Sequence, residues 1–237
     1  MTIGILYGIS VGPGDPEMIT IKGLKLLQSS EVVAYPAGKE NSLGIAEKII
    51  QPWLTRNQQL LPLNFPYVQD EDILLDAWKE AATIIWSYLS QGLNVAFACE
   101  GDVNFYGTFS YLAQTIKQLY PLTIVQAIPG VISPIASAAS LGIALTQRQQ
   151  RLLIIPVLYH LDELEKAFKV AEIIVLMKVS SVYQKVWPLL QAYKLLRNSY
   201  VVERASWNEE KIYKNLEEHK NIELSYFSLL IIQINRL

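Results

Sequence analysis

The sequence predicts an α/β protein of two α/β domains, with a mainly parallel sheet in the N-terminal one. Short apolar runs recur along the chain and alternate with amphipathic stretches at helical spacing, the pattern of strand–helix units. Several runs are apolar at successive positions, as in residues 32–35 and 93–99. Strands of that kind are buried on both faces, which is the habit of parallel sheets. Three runs end in glycine-containing turns that lead into helical stretches.

The first strand covers residues 3–11 and is closed by Gly12-Pro13-Gly14. Glycine supplies positive φ there, and proline fixes its own. Asp15 is a good N-cap and Pro16 a preferred first helical residue, so a helix is expected over 18–29. A second strand at 32–35 stops at Pro36. Residues 55–70 are polar and broken by Pro62 and Pro66, an excursion around a short strand. The clearest helix is 72–89, where Leu74, Ala77, Trp78, Ala81, Ile85, Tyr88 and Leu89 form one face. Strand 93–99, helix 106–119, strand 122–125 and helix 132–141 follow. The remainder reads as strand 152–155, helix 162–170, strand 173–176, helix 182–193, strand 200–202, a solvated helix at 209–218 and strand 229–232. The domain boundary falls at Ile128-Pro129-Gly130, giving domains 1–128 and 129–237.

A chain of 237 residues with 51% hydrophobic and 18% charged residues is long and apolar enough for a sizeable core. Its formal net charge of −2 gives no general attraction to nucleic acid. The single cysteine, Cys99, excludes an internal disulfide, and with only His160 and His219 as histidines no metal site is expected. No secretory leader or apolar run of about 20 residues is visible, so a cytoplasmic protein without membrane attachment is expected.

The turn at residues 8–16 (GISVGPGDP) favours a particular kind of ligand. A dinucleotide fingerprint needs glycine or alanine at position 17, where Glu17 stands. Pro13 and Pro16 delete two backbone donors, and Asp15 and Glu17 bring negative charge to the helix start. Phosphate is repelled by that arrangement; a cation without phosphate is suited to it. Cys99-Glu100-Gly101-Asp102 and Pro129-Gly130-Val131-Ile132-Ser133 are two further turns of this style. Each alone reads as a capped turn, but the carboxyl ends of parallel strands gather on one rim, where ligands bind. Cys99 lies in an apolar strand and reads as a structural thiol. Nucleophile elbow, Walker loop, H-E-x-x-H and C-x-x-C patterns are missing.

These residues together resemble the tetrapyrrole (corrin/porphyrin) methyltransferase family. The shared marks are GPGDP at 12–16, VVAYP at 32–36, EGD followed by FYG at 100–107, PGV with Ser133, Met177 after an apolar strand, ERA at 203–205 and Tyr226-Phe227-Ser228 before the last strand. The YPAG and EGDxxFYGTF forms are most similar to the branch acting at C20 of precorrin-2 in cobalamin biosynthesis, and the GGDPFVFG form of the uroporphyrinogen branch is absent. The resemblance implies S-adenosylmethionine bound in a cleft between two domains, a tetrapyrrole substrate and a homodimer. It implies cofactor contacts at Pro13, Glu100, Gly101, Asp102, Ile132, Ser133, Met177, Ala205, Tyr226, Phe227 and Ser228. Asp102 is the candidate proton acceptor. A substrate rich in carboxylates calls for basic residues, for which Lys39, Arg148, Arg151, Lys178 and Arg204 are the candidates. Two departures stand out: Val103 replaces the family's proline, which predicts a looser loop, and Ile132 replaces a hydroxyl residue. Open alternatives are the cobalt form of the substrate, another acceptor, and a non-catalytic cofactor-binding member.

Overall fold

The computed structural model describes residues 2–38, 43–66, 68 and 70–234. The chain divides into two compact units, Met1–Ile132 and Ser133–Leu237.

The first unit is built on strands β1 (Ile5–Ser10), β2 (Val32–Pro36), β3 (Gln59–Leu63), β4 (Val95–Cys99) and β5 (Ile124–Ile128). They form one sheet in the order β3-β2-β4-β1-β5, and every pairing is parallel. Helices α1 (Ile21–Ser29), α2 (Ile45–Ile50), α3 (Glu71–Leu89) and α4 (Phe109–Leu119) complete it. Side chains alternate across the pleat, so β4 sends Phe97 into one core with Ile85, Leu89, Phe109 and Leu112 of α3 and α4. Its neighbours Ala96 and Ala98 enter a second core with Leu27 and Ile49 of α1 and α2. Apolar cores on both faces explain the unbroken apolar runs. Gly8 is needed for close approach: a Cβ there would lie 2.2 Å from the Phe109 ring.

Three local expectations shift. Asp15 and Pro16 start a 3-10 turn, Pro16–Met18, and not the helix itself; Asp15 Oδ1 accepts from Glu17 N at 2.8 Å. The helix begins at Ile21, capped by Thr20 Oγ1, which accepts from Gly23 N. The strand expected at 122–125 starts at Ile124 and runs to Ile128, because Leu122 sits in the turn after α4 and is 74% exposed.

The second unit contains α5 (Ser133–Leu141), β6 (Leu152–Ile155), α6 (Leu161–Val170), β7 (Ile173–Met177), α7 (Tyr183–Ala192), β8 (Ser199–Glu203), β9 (Lys211–Tyr213) and β10 (Ser228–Gln233). Its sheet runs β6-β7-β10-β8-β9. Only β6 and β7 are parallel; β10 is antiparallel to both β7 and β8, and β9 to β8. Leu164, Leu176, Val186, Leu190, Val201 and Leu230 share its core. The helix expected over 209–218 does not form. Residues 211–213 instead pair with β8, and a 3-10 turn, Leu216–Glu218, follows. Asn215 is left-handed (φ 53°), which breaks a helix, and Leu216 is fully buried. Trp187 Nε1 donates to Leu216 O at 2.7 Å and holds the turn there.

Candidate functional site

In the first unit, β4, β1 and β5 are adjacent, with Ser10 opposite Cys99 and Ile9 opposite Ile128. The three glycine turns therefore leave the sheet side by side. Gly101 N donates to Gly12 O at 2.8 Å and Gly12 N to Gly101 O at 3.3 Å, a bridge joining the first two turns. Both glycines have positive φ (82° and 68°). A Cβ at Gly101 would meet nothing within 4 Å, so its backbone conformation, not lack of space, selects glycine.

Asp102 fastens all three turns. It is 9% exposed. Its Oδ2 accepts from Gly130 N at 2.7 Å and from Ser10 Oγ at 3.3 Å, and its Oδ1 accepts from Asn104 N at 2.8 Å. Val103 N donates to Ser10 Oγ at 2.9 Å, and Val103 O accepts from Ser110 Oγ at 3.1 Å. The expected looseness at Val103 is thus corrected: the residue is fully buried, and it supplies an N–H that proline lacks. Cys99 is buried beneath this rim, and burial pushes its thiol up to about 12, with the carboxylates of Glu100 and Asp102 adding to the rise and donation from the Phe109 and Thr108 backbone opposing it. It is a structural thiol. Ser10 was not legible as part of the site; a lone hydroxyl one residue inside an apolar strand end was the available signal.

The second unit gathers its own set at one edge of its sheet. Met177 ends β7 opposite Leu229, and Glu203 ends β8 opposite Ser228. Ala205 and Tyr226-Phe227 flank those positions, so Met177, Ala205, Tyr226, Phe227 and Ser228 share this edge. The main chain turns here without glycine: Lys178 (φ 53°), Arg204 (φ 51°) and Ser206 (φ 68°) are left-handed. Arg204 N donates to Phe227 O at 2.7 Å. Lys178 Nζ lies 5.5 Å from the Tyr226 ring centroid. Glu210 Oε2 accepts from Ser206 N at 2.6 Å and Ser140 Oγ at 2.7 Å, tying the 204–210 segment to α5.

Residues 5–220 match the family described as Tetrapyrrole (Corrin/Porphyrin) Methylases. The chain belongs to this family. It is 30% identical over 240 residues to the cobalamin biosynthesis protein CobIJ of Mycobacterium bovis, a match that covers 97% of this chain and 46% of that relative. The chain thus spans about half the length of such relatives. It is also 30% identical over 241 residues to a precorrin-2 C(20)-methyltransferase of Sinorhizobium sp, covering 97% of this chain and 95% of the relative. The crystal structure of a cobalt precorrin-4 methyltransferase, CbiF, has the same fold, with a TM-score of 0.73 and 24% identity over 96% of this chain and 94% of that one.

Within this chain the expected residues fall into distinct groups. Pro13, Glu100, Gly101 and Asp102 lie on the rim of the first sheet, and Ile132, half-buried, follows the third turn. Ser133 opens α5 in the second unit. Lys178 and Arg204 belong to the edge carrying Met177 and Ala205. Arg151 does not: it precedes β6 at the opposite edge of that sheet, where its guanidinium grips Glu172 through Nη2 at 2.7 Å and Nε at 3.2 Å. Arg148 sits in an exposed turn three residues earlier. Lys39 lies outside the described residues. Among the described residues, no helix is long and apolar enough to cross a membrane.

Proposed function

We propose that this tetrapyrrole methylase transfers a methyl group from S-adenosylmethionine to C20 of precorrin-2, or of its cobalt form, cobalt-factor II, in cobalamin biosynthesis. The observation that carries this reading is the bridged, glycine-turned rim of the first sheet, which bears the motif residues of the C20 branch. The donor set suits the cofactor. Pro13 and Pro16 remove amide donors that a phosphate would use, and Asp15 Oδ1 already takes the Glu17 amide. The carboxylates of Asp15, Glu17 and Glu100 stand on these turns, an arrangement complementary to a cation without phosphate.

In this reading Pro13, Glu100, Gly101, Asp102, Ile132 and Ser133 contribute to cofactor binding, as do Met177, Ala205, Tyr226, Phe227 and Ser228. Many act through the main chain. S-Adenosylmethionine supplies an activated methyl group when bound. The acceptor carbon is electron-rich and enamine-like, so the protein's contribution is orientation, which can lower a barrier by roughly 7–11 kcal/mol. Asp102 contributes to that orientation. Its carboxylate accepts three hydrogen bonds, and we assign it a positioning role in place of proton acceptance. Lys178 and Arg204 are the cations we assign to the substrate carboxylates. Arg151, engaged with Glu172 at the far edge, is not carried into the proposal, and neither is Arg148. We assign the enzyme to the cytoplasm as a homodimer.

The test is transfer of labelled methyl, run anaerobically with metal-free precorrin-2 and cobalt-factor II in parallel, with the product mapped by NMR. Label at C20 is expected, and the faster acceptor identifies the branch. Cofactor binding without transfer to either acceptor would overturn the assignment and point to another acceptor or a non-catalytic member.

A further inference from the structure

Glu203 is a buried carboxylate of the 203–205 motif to which the proposed chemistry gives no role. It ends β8 and is 6% exposed, and among the described residues its side chain takes one long hydrogen bond, from Ser225 N to Oε1 at 3.4 Å. Among the described residues its Oε2 has no hydrogen-bond partner. The same is true of two neighbouring hydroxyls, Ser225 Oγ and Ser228 Oγ. Ser228 stands directly opposite Glu203 in the β8–β10 register and is 4% exposed. On the other side Glu203 pairs in register with Lys211, yet no ion pair to Glu203 occurs among the described residues, from Lys211 or from Lys178 and Arg204 of its own edge.

Burying a carboxylate without a counter-charge is expensive, and proteins keep such groups where something compensates them. This one is adjacent in sequence to Arg204-Ala205 and faces Ser228 across the sheet, at the edge assigned above to the cofactor. We propose that Glu203 is the counter-charge for a cationic centre of the bound cofactor, and so determines specificity for the charged cofactor over neutral adenosyl compounds. The inference rests on the cofactor reading of the preceding subsection. Its oxygen is buried, so it acts through its field, which is strong where water is excluded. Two cationic centres are available, the sulfonium and the α-ammonium. If the sulfonium is the one compensated, transfer of the methyl group discharges it, and Glu203 then favours exchange of spent cofactor for fresh.

The experiment is calorimetric titration of wild type and Glu203→Gln with S-adenosylmethionine, S-adenosylhomocysteine and 5′-methylthioadenosine. Gln keeps the shape and removes the charge. A loss of about tenfold in affinity for S-adenosylmethionine alone, the size expected of one charge pair of intermediate screening, assigns the sulfonium. Equal losses for S-adenosylmethionine and S-adenosylhomocysteine, with methylthioadenosine unchanged, assign the α-ammonium. Equal losses for all three, or none, overturn the inference while the cofactor reading stands. Wild type that binds none of the three overturns both. Ser225→Lys is the second variant, since it brings a cation beside an intact Glu203. It should weaken the same ligands as Glu203→Gln, and unchanged affinities in a folded Ser225→Lys protein would also overturn the inference.

Discussion

The two units carry their candidate residues on edges built in opposite ways. In the first, three strand ends point the same way because the sheet is parallel. Turns with glycine at positive φ leave it, and the buried carboxylate, Asp102, is satisfied by three donors. In the second, the edge combines two strand ends with one strand start, because β10 runs against its neighbours. Its turns are left-handed at Lys178, Arg204 and Ser206, where side chains oppose that conformation, and its buried carboxylate, Glu203, lacks a partner for Oε2 among the described residues. The first edge has its carboxylate satisfied and one left-handed residue other than glycine nearby, Tyr106 (φ 53°). The second concentrates strain and unmet polar groups, the features that persist where function uses them. The difference lies in how far each edge satisfies its own buried carboxylate.

The largest effect that tests this contrast is expected at Asp102. Asp102→Ala leaves Gly130 N, Ser10 Oγ and Asn104 N without their acceptor. Unmet buried donors cost about 1–3 kcal/mol each, and part of that is recovered by water reaching Asn104. A net loss of about 3 kcal/mol is expected, a fall of roughly 6–12 °C in melting temperature for a chain of this size. Cofactor affinity should fall with it, since all three turns are released. Melting within a degree or two of wild type would show that the first edge does not depend on this residue.

A smaller and more selective effect is expected at Arg204. Its left-handed backbone costs about 1 kcal/mol in any residue but glycine. Arg204→Gly should therefore be more stable than Arg204→Ala by up to about 1 kcal/mol, measured by denaturant titration. Both variants should raise the KM for the tetrapyrrole and leave cofactor affinity close to wild type. Equal stabilities would remove strain from the description of the second edge, and an unchanged KM would remove Arg204 from the substrate site.

The same contrast explains what could be read from the sequence. The first edge was legible because parallel strands with helical crossovers need tight turns at their carboxyl ends, and glycine and proline mark those turns. Gly12, Gly101 and Gly130 announced three positions that the register then placed side by side. The fastening itself was not legible, since Ser10 is one hydroxyl in an apolar strand and its partner lies 92 residues away. In the second unit, antiparallel pairing and left-handed turns at lysine, arginine and serine leave no such marks. There the charged stretch around 211–213 read as a helix, and only pairing with β8 makes it a strand. Residues 45–50 show the reverse case: a helix of six residues is too short for periodicity to reveal.

The smallest effect is expected at Arg151, and its smallness is the point. Both Arg151 and Arg204 are basic and lie near strand termini, which made them equivalent in the sequence. The register separates them: Arg151 precedes the start of β6, whereas Arg204 follows the end of β8 beside the start of β10. Arg151 already has a bidentate partner in Glu172, which raises its pKa through hydrogen bonding first and charge second. A pair whose arginine stands in solvent contributes little to stability. Arg151→Ala should leave KM and kcat for the tetrapyrrole at wild-type values while Arg204→Ala raises KM. A matching rise in KM for both variants would mean that position along the sheet does not sort the cations, and the functional distinction between its two edges would have to be abandoned.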